Sequence, residues 1–212
     1  MILTLILDSE LPESLARFDD SLSSESSRAV FRRIAGPGNP ARAKAEIAVK
    51  NHSESIDLIT NFGIGHKPSA PRLDLSWDGA ALRTEIEAYI LLHEVAHFQL
   101  AAPARRTVIE FGLGPGPETG DRARAERAAM RFGLEREREE AMASLLGILW
   151  ETQLGHPALA SFLDQNWLEG AARPRSCRGA AAHFETVLAE LARGGFVTSC
   201  GQPTRTLRQS PD

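Results

Sequence analysis

Cysteine is scarce in this chain. Cys177 and Cys200, 23 positions apart and in no CxxC spacing, are the only two, too few for a disulfide scaffold, and a reducing, cytoplasmic setting is expected. Long apolar runs are also missing. The stretch Met1 to Leu7 is too short for a membrane span, no basic region precedes it and no small-residue cleavage site comes after it, so neither a span nor an export signal is expected. Nor is there a surplus of basic residues. With 24 Lys and Arg against 28 Asp and Glu the formal net charge is −4, which argues against a surface built to neutralise many phosphates, so direct nucleic-acid partners are not expected, and without a long apolar run neither is a membrane. No repeat of fixed period organises the chain.

The residues that are present suit a globular fold. Of 212 residues, 42% are hydrophobic and 25% charged, enough to bury a core in one domain or in a domain with an appended segment. The spacing of Leu11, Leu15, Phe18, Leu22, Val30 and Phe31 predicts one or two short amphipathic helices within 8–35. Gly36-Pro37-Gly38-Asn39-Pro40 breaks any helix. Residues 41–50 read as helix again, and 55–62 and 73–77 as short strands. From Gly79 onward, apolar residues at three- and four-residue steps predict a long buried helix ending before Pro103. Gly112-Leu113-Gly114-Pro115-Gly116-Pro117 makes a stiff loop, and Asp121 can cap the next helix. Helices are expected at 122–132, 135–150, 157–168 and 179–193. The expected organisation is a divergent N-terminal segment 1–72 packed on the same domain, a core 73–200, and a loose tail 201–212. The fold class is α+β, mainly helical with a few short strands.

The chemistry concentrates in His93-Glu94-Val95-Ala96-His97, an HExxH sequence. On a helix of about 3.6 residues per turn, histidines four apart project from one face and can grip one divalent ion. Glu94 lies one residue round from His93, where in zinc peptidases of this motif the carboxylate activates the metal-bound water. HExxH also arises by chance as an ordinary helix with hydrogen-bonded histidines. Against that stands the cost of burying two imidazoles and a carboxylate, in so apolar a helix, without a partner.

A third ligand is needed from downstream, and Glu126, Glu135, Glu137, Glu139 and Glu140 are the candidates. With about 100° per residue, Glu135 falls near the middle of the face carrying Met142, Leu146 and Leu149, while Glu137 and Glu140 point away from it. Glu135 is therefore the expected ligand, with Glu139 or Glu126 next, and the metal is expected between the 80–102 and 135–150 helices. Most of this acidic, arginine-mixed run also reads as a solvated, ion-paired face. Two imidazoles and one carboxylate suit Zn(II) and Fe(II) alike, so the donor set does not decide the reaction.

The flanking residues narrow the field. His93 to Phe98, then Ala101, Ala104-Arg105-Arg106 and Glu110-Phe111-Gly112, resembles the core of the bacterial elongation factor P hydroxylases. Weaker similarity runs through Phe132, Leu134-Glu135 and Ala141-Met142, and again through 166–170 and the helix near His183. The resemblance implies a nonhaem Fe(II) hydroxylase acting on a lysine-derived side chain of a protein substrate such as elongation factor P. His93, His97 and Glu135 would be its ligands, and Glu94 a carboxylate or proton shuttle behind them. The aromatic-rich stretch that the family carries after Glu-Phe-Gly is here Leu113 to Pro117, which leaves open retargeting to another protein or peptide. Arg105 and Arg106 are the expected substrate-binding pair, recognising a carboxylate or phosphate; the other reading pairs Arg106 with Glu110. His183 is weighed against an ordinary packed or surface role. The rivals to the hydroxylase are a Zn(II) peptidase with Glu94 as base and a noncatalytic module braced by metal.

Overall fold

The structure, a computed structural model, describes residues 6, 9–36, 45–68, 75–168 and 174–209. It is mainly helical, with eight α-helices and one two-stranded sheet among the described residues. No helix there is long and apolar enough to cross a membrane. The chain divides into two compact units, 1–43 with 148–204 and 44–147 with 205–212, a partition different from the segments 1–72, 73–200 and 201–212 drawn from the sequence.

In the first unit, α1 (Leu11–Ser21), α2 (Glu25–Ile34), α7 (Ala158–Asp164) and α8 (Pro174–Arg193) each contribute one phenylalanine to a common core. Phe18, Phe31, Phe162 and Phe184 meet with ring centroids 4.7–6.5 Å apart. On α8 the buried residues Cys177, Ala181, Phe184, Leu188 and Leu191 recur at three- and four-residue steps, one stripe facing that core. The Ser24 side chain caps α2 by accepting from Ser27 N, and Arg33 in its last turn donates to the carbonyls of Cys200 and Gly201. His183 stacks on Trp167 at 5.4 Å, a packing role. The strand or helix edge expected at Met1 to Leu7 and the break at Gly36 to Pro40 fall largely outside the described residues.

The second unit holds α3 (Ala45–Asn61), β1 (His66–Lys67), β2 (Leu82–Arg83), α4 (Ala88–Leu100), α5 (Arg122–Ala128) and the first two thirds of α6 (Gly133–Leu154), whose remainder belongs to the other unit. Residues 55–61 are helical, the end of α3, rather than a strand. Asn51, Ser55, Leu58 and Ile59 form a helical stripe, and packing on α4 overrides the strand preference of the β-branched residues. The strand expected at 73–77 lies partly outside the described residues; its end, Trp77, forms a single antiparallel bridge to Leu82.

The HExxH helix starts at 88, not near 80. The Asp78 carboxylate accepts from the backbone of Ala80 and Ala81, and Gly79 turns with φ of +95°, where a Cβ would stand 2.6 Å from Thr107 O. That turn sends Leu82 and Arg83 into a parallel pairing with β1, His66 beside Leu82. From Ala88, α4 is buried on nearly every side, through Ile90, Leu91, Leu92, Val95, Ala96 and Leu100. Within the stretch read as a loose tail, residues 206–208 are tied down: Arg208 N donates to Gln99 O, and the Gln99 amide donates to Thr206 O.

Candidate metal centre

Two helices bring three donors together. His93 and His97 stand one turn apart on α4, with their Nε2 atoms 2.9 Å apart. From α6, Glu140 Oε2 lies 3.6 Å from His93 Nε2 and 3.3 Å from His97 Nε2. A circle through three atoms so spaced has a radius of about 1.9 Å, close to the distances of about 2.0–2.2 Å typical of nitrogen and carboxylate ligands of a divalent ion. The residues therefore fit a divalent metal in number, chemistry and spacing, and among the described residues these three form the group able to hold one. The His97 side chain is 5% exposed, but those of His93 and Glu140 are 23% and 37% exposed, so the donors are open to solvent on one side.

Glu140 takes the place expected of Glu135. Glu135 is exposed and pairs with Arg131 at 2.8 Å, while Glu126 and Glu137 are exposed on their helices. Helical phase misplaces the ligand because the second half of α6 is buried all round, from Leu145 to Glu151, so its apolar residues do not define a face toward α4. Gly147 does: a Cβ there would lie 3.1 Å from His93 Cα and 3.2 Å from His93 N. Glu140, seven residues earlier, is two turns down the same face. A glycine inside a helix was the legible sign of close backbone approach.

Electrostatics hold His97 and Glu140 as a charged pair and disfavour charge on His93. Burial would lower His97, but the charge and hydrogen bond of Glu140, with Glu94 and Glu139 beyond, raise it to about 9. Burial would raise Glu140, yet the charge of His97 and the contacts with both imidazoles hold it well below the ordinary carboxylate range. His93 is lowered by burial and by the charge of His97. Such a carboxylate, ionised beside two imidazoles, is ready to share a cation. His97 Nδ1 is buried without a hydrogen-bond partner among the described residues, so no acceptor there fixes the tautomer in the way metal-bound histidines usually require.

Glu94 lies beside the donors but is nearly sealed, 9% exposed. Burial and the charge of Glu110 push it up to about 8, so near neutral pH it can hold or release a proton. Arg83, itself buried, opposes this shift and donates to Glu118 O.

The wall behind His97 is a strained turn. Glu110, Phe111 and Gly112 all have left-handed φ, 47°, 51° and 73°, an arrangement that costs energy at the two non-glycine positions and persists only if its surroundings impose it. They do. The Glu110 carboxylate accepts from Ser76 N, Trp77 N and Thr119 Oγ1, and burial raises its pKa. The Phe111 ring stacks between Trp77 at 5.2 Å and His97 at 5.8 Å.

Of the two arginines expected to bind substrate, Arg105 braces this wall. Arg105 is 2% exposed; it pairs with both oxygens of Glu139 and donates to Phe111 O. Arg106 does not pair with Glu110. It donates to Phe98 O and Arg208 O and lies over the Phe98 ring. Arg105 is buried and Arg106 half-buried, each held by backbone carbonyls and partners that the sequence spacing does not reveal. Comparisons with protein-family models, curated proteins and solved structures give no match.

Proposed function

We propose that this protein is a metal-dependent hydroxylase of the nonhaem iron type, acting on a lysine-derived side chain of a protein substrate, as the resemblance to the elongation factor P hydroxylases implies. The observation that carries the reading is the convergence of His93 Nε2, His97 Nε2 and Glu140 Oε2 around one point. Three protein donors leave coordination positions for reactants, as a catalytic centre requires. When bound, Fe(II) would supply the dioxygen chemistry needed to hydroxylate an unactivated C–H bond. The chain's own part is to hold that ion, to present its open side to solvent through the edge of His93 and Glu140, and to keep Glu94 behind it as a carboxyl able to take or give a proton. The Glu110–Gly112 turn and the Trp77, Phe111 and His97 stack keep the rear of the site packed.

A second reading has its own support. Glu94 directly succeeds the first histidine and has a raised pKa, as a Zn(II) peptidase needs for its base. Anaerobic purification with metal analysis and oxygen uptake separates the two. Bound iron, oxygen consumption and the gain of one oxygen atom on a partner protein support the hydroxylase. Bound zinc with cleavage of an unfolded protein would replace it by the peptidase, and metal without either activity would reduce the site to a fold brace.

A further inference from the structure

We infer that Arg83 is a carboxylate-binding residue beside the candidate metal centre, taking either a small free acid or an acidic side chain that flanks the reacting residue of a protein substrate. The site goes beyond the hydroxylase reading, because it rests on a buried guanidinium and not on the chemistry of the metal. Arg83 is 9% exposed. A guanidinium stays charged in a protein, and burying one without a counterion is strongly destabilising. The arginines that the sequence picked out have their partners: Arg105 holds both oxygens of Glu139, and Arg106 donates to two backbone carbonyls. Arg83 has less. Its Nη2 donates to Glu118 O at 3.2 Å, its Nε is buried without a hydrogen-bond partner, and among the described residues no carboxylate stands within ion-pairing distance of it.

The fold nevertheless fixes this side chain at the site. Arg83 pairs with Lys67 in the parallel sheet, and Arg83 N donates to Ser76 O at 2.9 Å on its other edge. Two short bridges tie it to Glu110. One runs through Ser76, whose N–H donates to Glu110 Oε1; the other runs through Glu118 and its neighbour Thr119, whose hydroxyl donates to the same oxygen. The charge of Arg83 also acts on Glu94, next to the first histidine. Rigidly held donors with spare capacity beside a reaction centre suit a planar anion, since the guanidinium fork matches two carboxylate oxygens. An arrangement that lowers stability in this way persists where function requires it. The covering loop is thin: Pro117 and Glu118 are exposed, and Arg83 lies directly beneath Glu118. Glu94 and Glu110 close by disfavour a doubly charged phosphate and leave a monoanionic carboxylate as the ligand.

The test uses the full-length protein with its metal content recorded. Acetate serves as the free acid, and a lysine peptide with a neighbouring aspartate, set against its asparagine counterpart, serves as the acidic side chain. Calorimetry should show binding of acetate or of the aspartate peptide, and the bound ligand should raise the melting temperature, which chloride at equal ionic strength should not do. Arg83→Met should weaken that binding about tenfold or more, as loss of a charged hydrogen-bond partner does. Without ligand its melting temperature should equal or exceed that of the wild type, because an unpaired buried charge has given way to an apolar chain. Arg83→Lys should keep part of the binding. A response to acetate alone assigns the site to a small acid, and a response to the aspartate peptide alone assigns it to a side chain; either sustains the proposal, and a response to neither overturns it. Binding that Arg83→Met leaves unchanged overturns it by placing the carboxylate on the metal alone. A marked fall in melting temperature for Arg83→Met overturns it by making Arg83 a structural counter-charge to Glu94 and Glu110. Carboxylate binding at Arg83 in a protein that holds zinc or no metal would sustain this site and sink the hydroxylase, whereas iron and oxygen uptake without any carboxylate response would sink this site alone.

Discussion

Gly147 of α6 lies against the backbone of His93, so close that a Cβ at 147 would stand 3.1 Å from His93 Cα. Two helices thus meet without an intervening side chain at the first histidine of HExxH, and two turns earlier the same face delivers Glu140 to the imidazoles. The close approach sets the separation of the donors. Alanine in place of Gly147 gains about 1 kcal/mol of helix propensity but overpacks a backbone contact, at a cost of about 1–3 kcal/mol. Gly147→Ala is expected to be neutral to moderately destabilising by thermal melting and to weaken metal binding. Gly147→Leu should destabilise outright. Unchanged metal affinity in Gly147→Ala would show that the contact does not set the donor spacing.

Glu140 and Glu135 separate ligand from solvated face. Glu140→Gln removes a charged donor and should cost more than the roughly 10–100-fold in metal affinity typical of groups that only orient ligands, read by metal titration. Glu135→Gln touches only the exposed pair with Arg131 and should leave metal affinity and melting temperature nearly unchanged, since such pairs contribute about 0–1 kcal/mol. The opposite ranking would return the site to Glu135.

The sequence made one half of this site legible and hid the other for a physical reason. His93 and His97 belong to a single helix, where the period alone places two side chains on one face. Glu140 depends on how a second helix is rotated, and apolar residues in a segment buried all round do not report that rotation. The two N-terminal helices were legible because Leu11, Leu15, Phe18 and Leu22 recur at three- and four-residue steps and Val30 and Phe31 mark the apolar face of the second. The start of α4 was not, because the hydrogen bonds of Asp78 to Ala80 and Ala81 form a turn that apolar spacing does not encode. Arg105 read as a ligand-binding residue because its carboxylate partner, Glu139, is 34 positions away.

Arg105 and Glu139 are nearly sealed together, their side chains 3% and 10% exposed. Removing one partner leaves a buried charge, so Arg105→Ala should cost about 3–5 kcal/mol and loosen the Phe111 carbonyl that Arg105 also holds. The double variant Arg105→Met with Glu139→Leu should recover most of that loss, because matched apolar replacements spare both desolvation penalties. Denaturant unfolding of both variants checks this. A stable Arg105→Ala that loses only substrate affinity would instead restore a substrate-binding role.

Glu151 gives the first unit its own pH dependence. It is 3% exposed, and burial, offset in part by the Ser161 hydroxyl and reinforced by Asp164, raises its pKa from 4.5 to about 8. Below pH 4.5 the carboxyl is protonated in both the folded and the unfolded chain. Between 4.5 and about 8 the unfolded chain releases a proton that the folded one keeps, so stability falls as pH rises through that window and levels off above it. Glu151→Gln preserves the shape and the hydrogen-bonding capacity of the neutral acid without the titration. Its melting temperature should exceed that of the wild type by a margin that widens from pH 5 to pH 8. Parallel melting curves across that range would mean that Glu151 is solvated more than its burial implies.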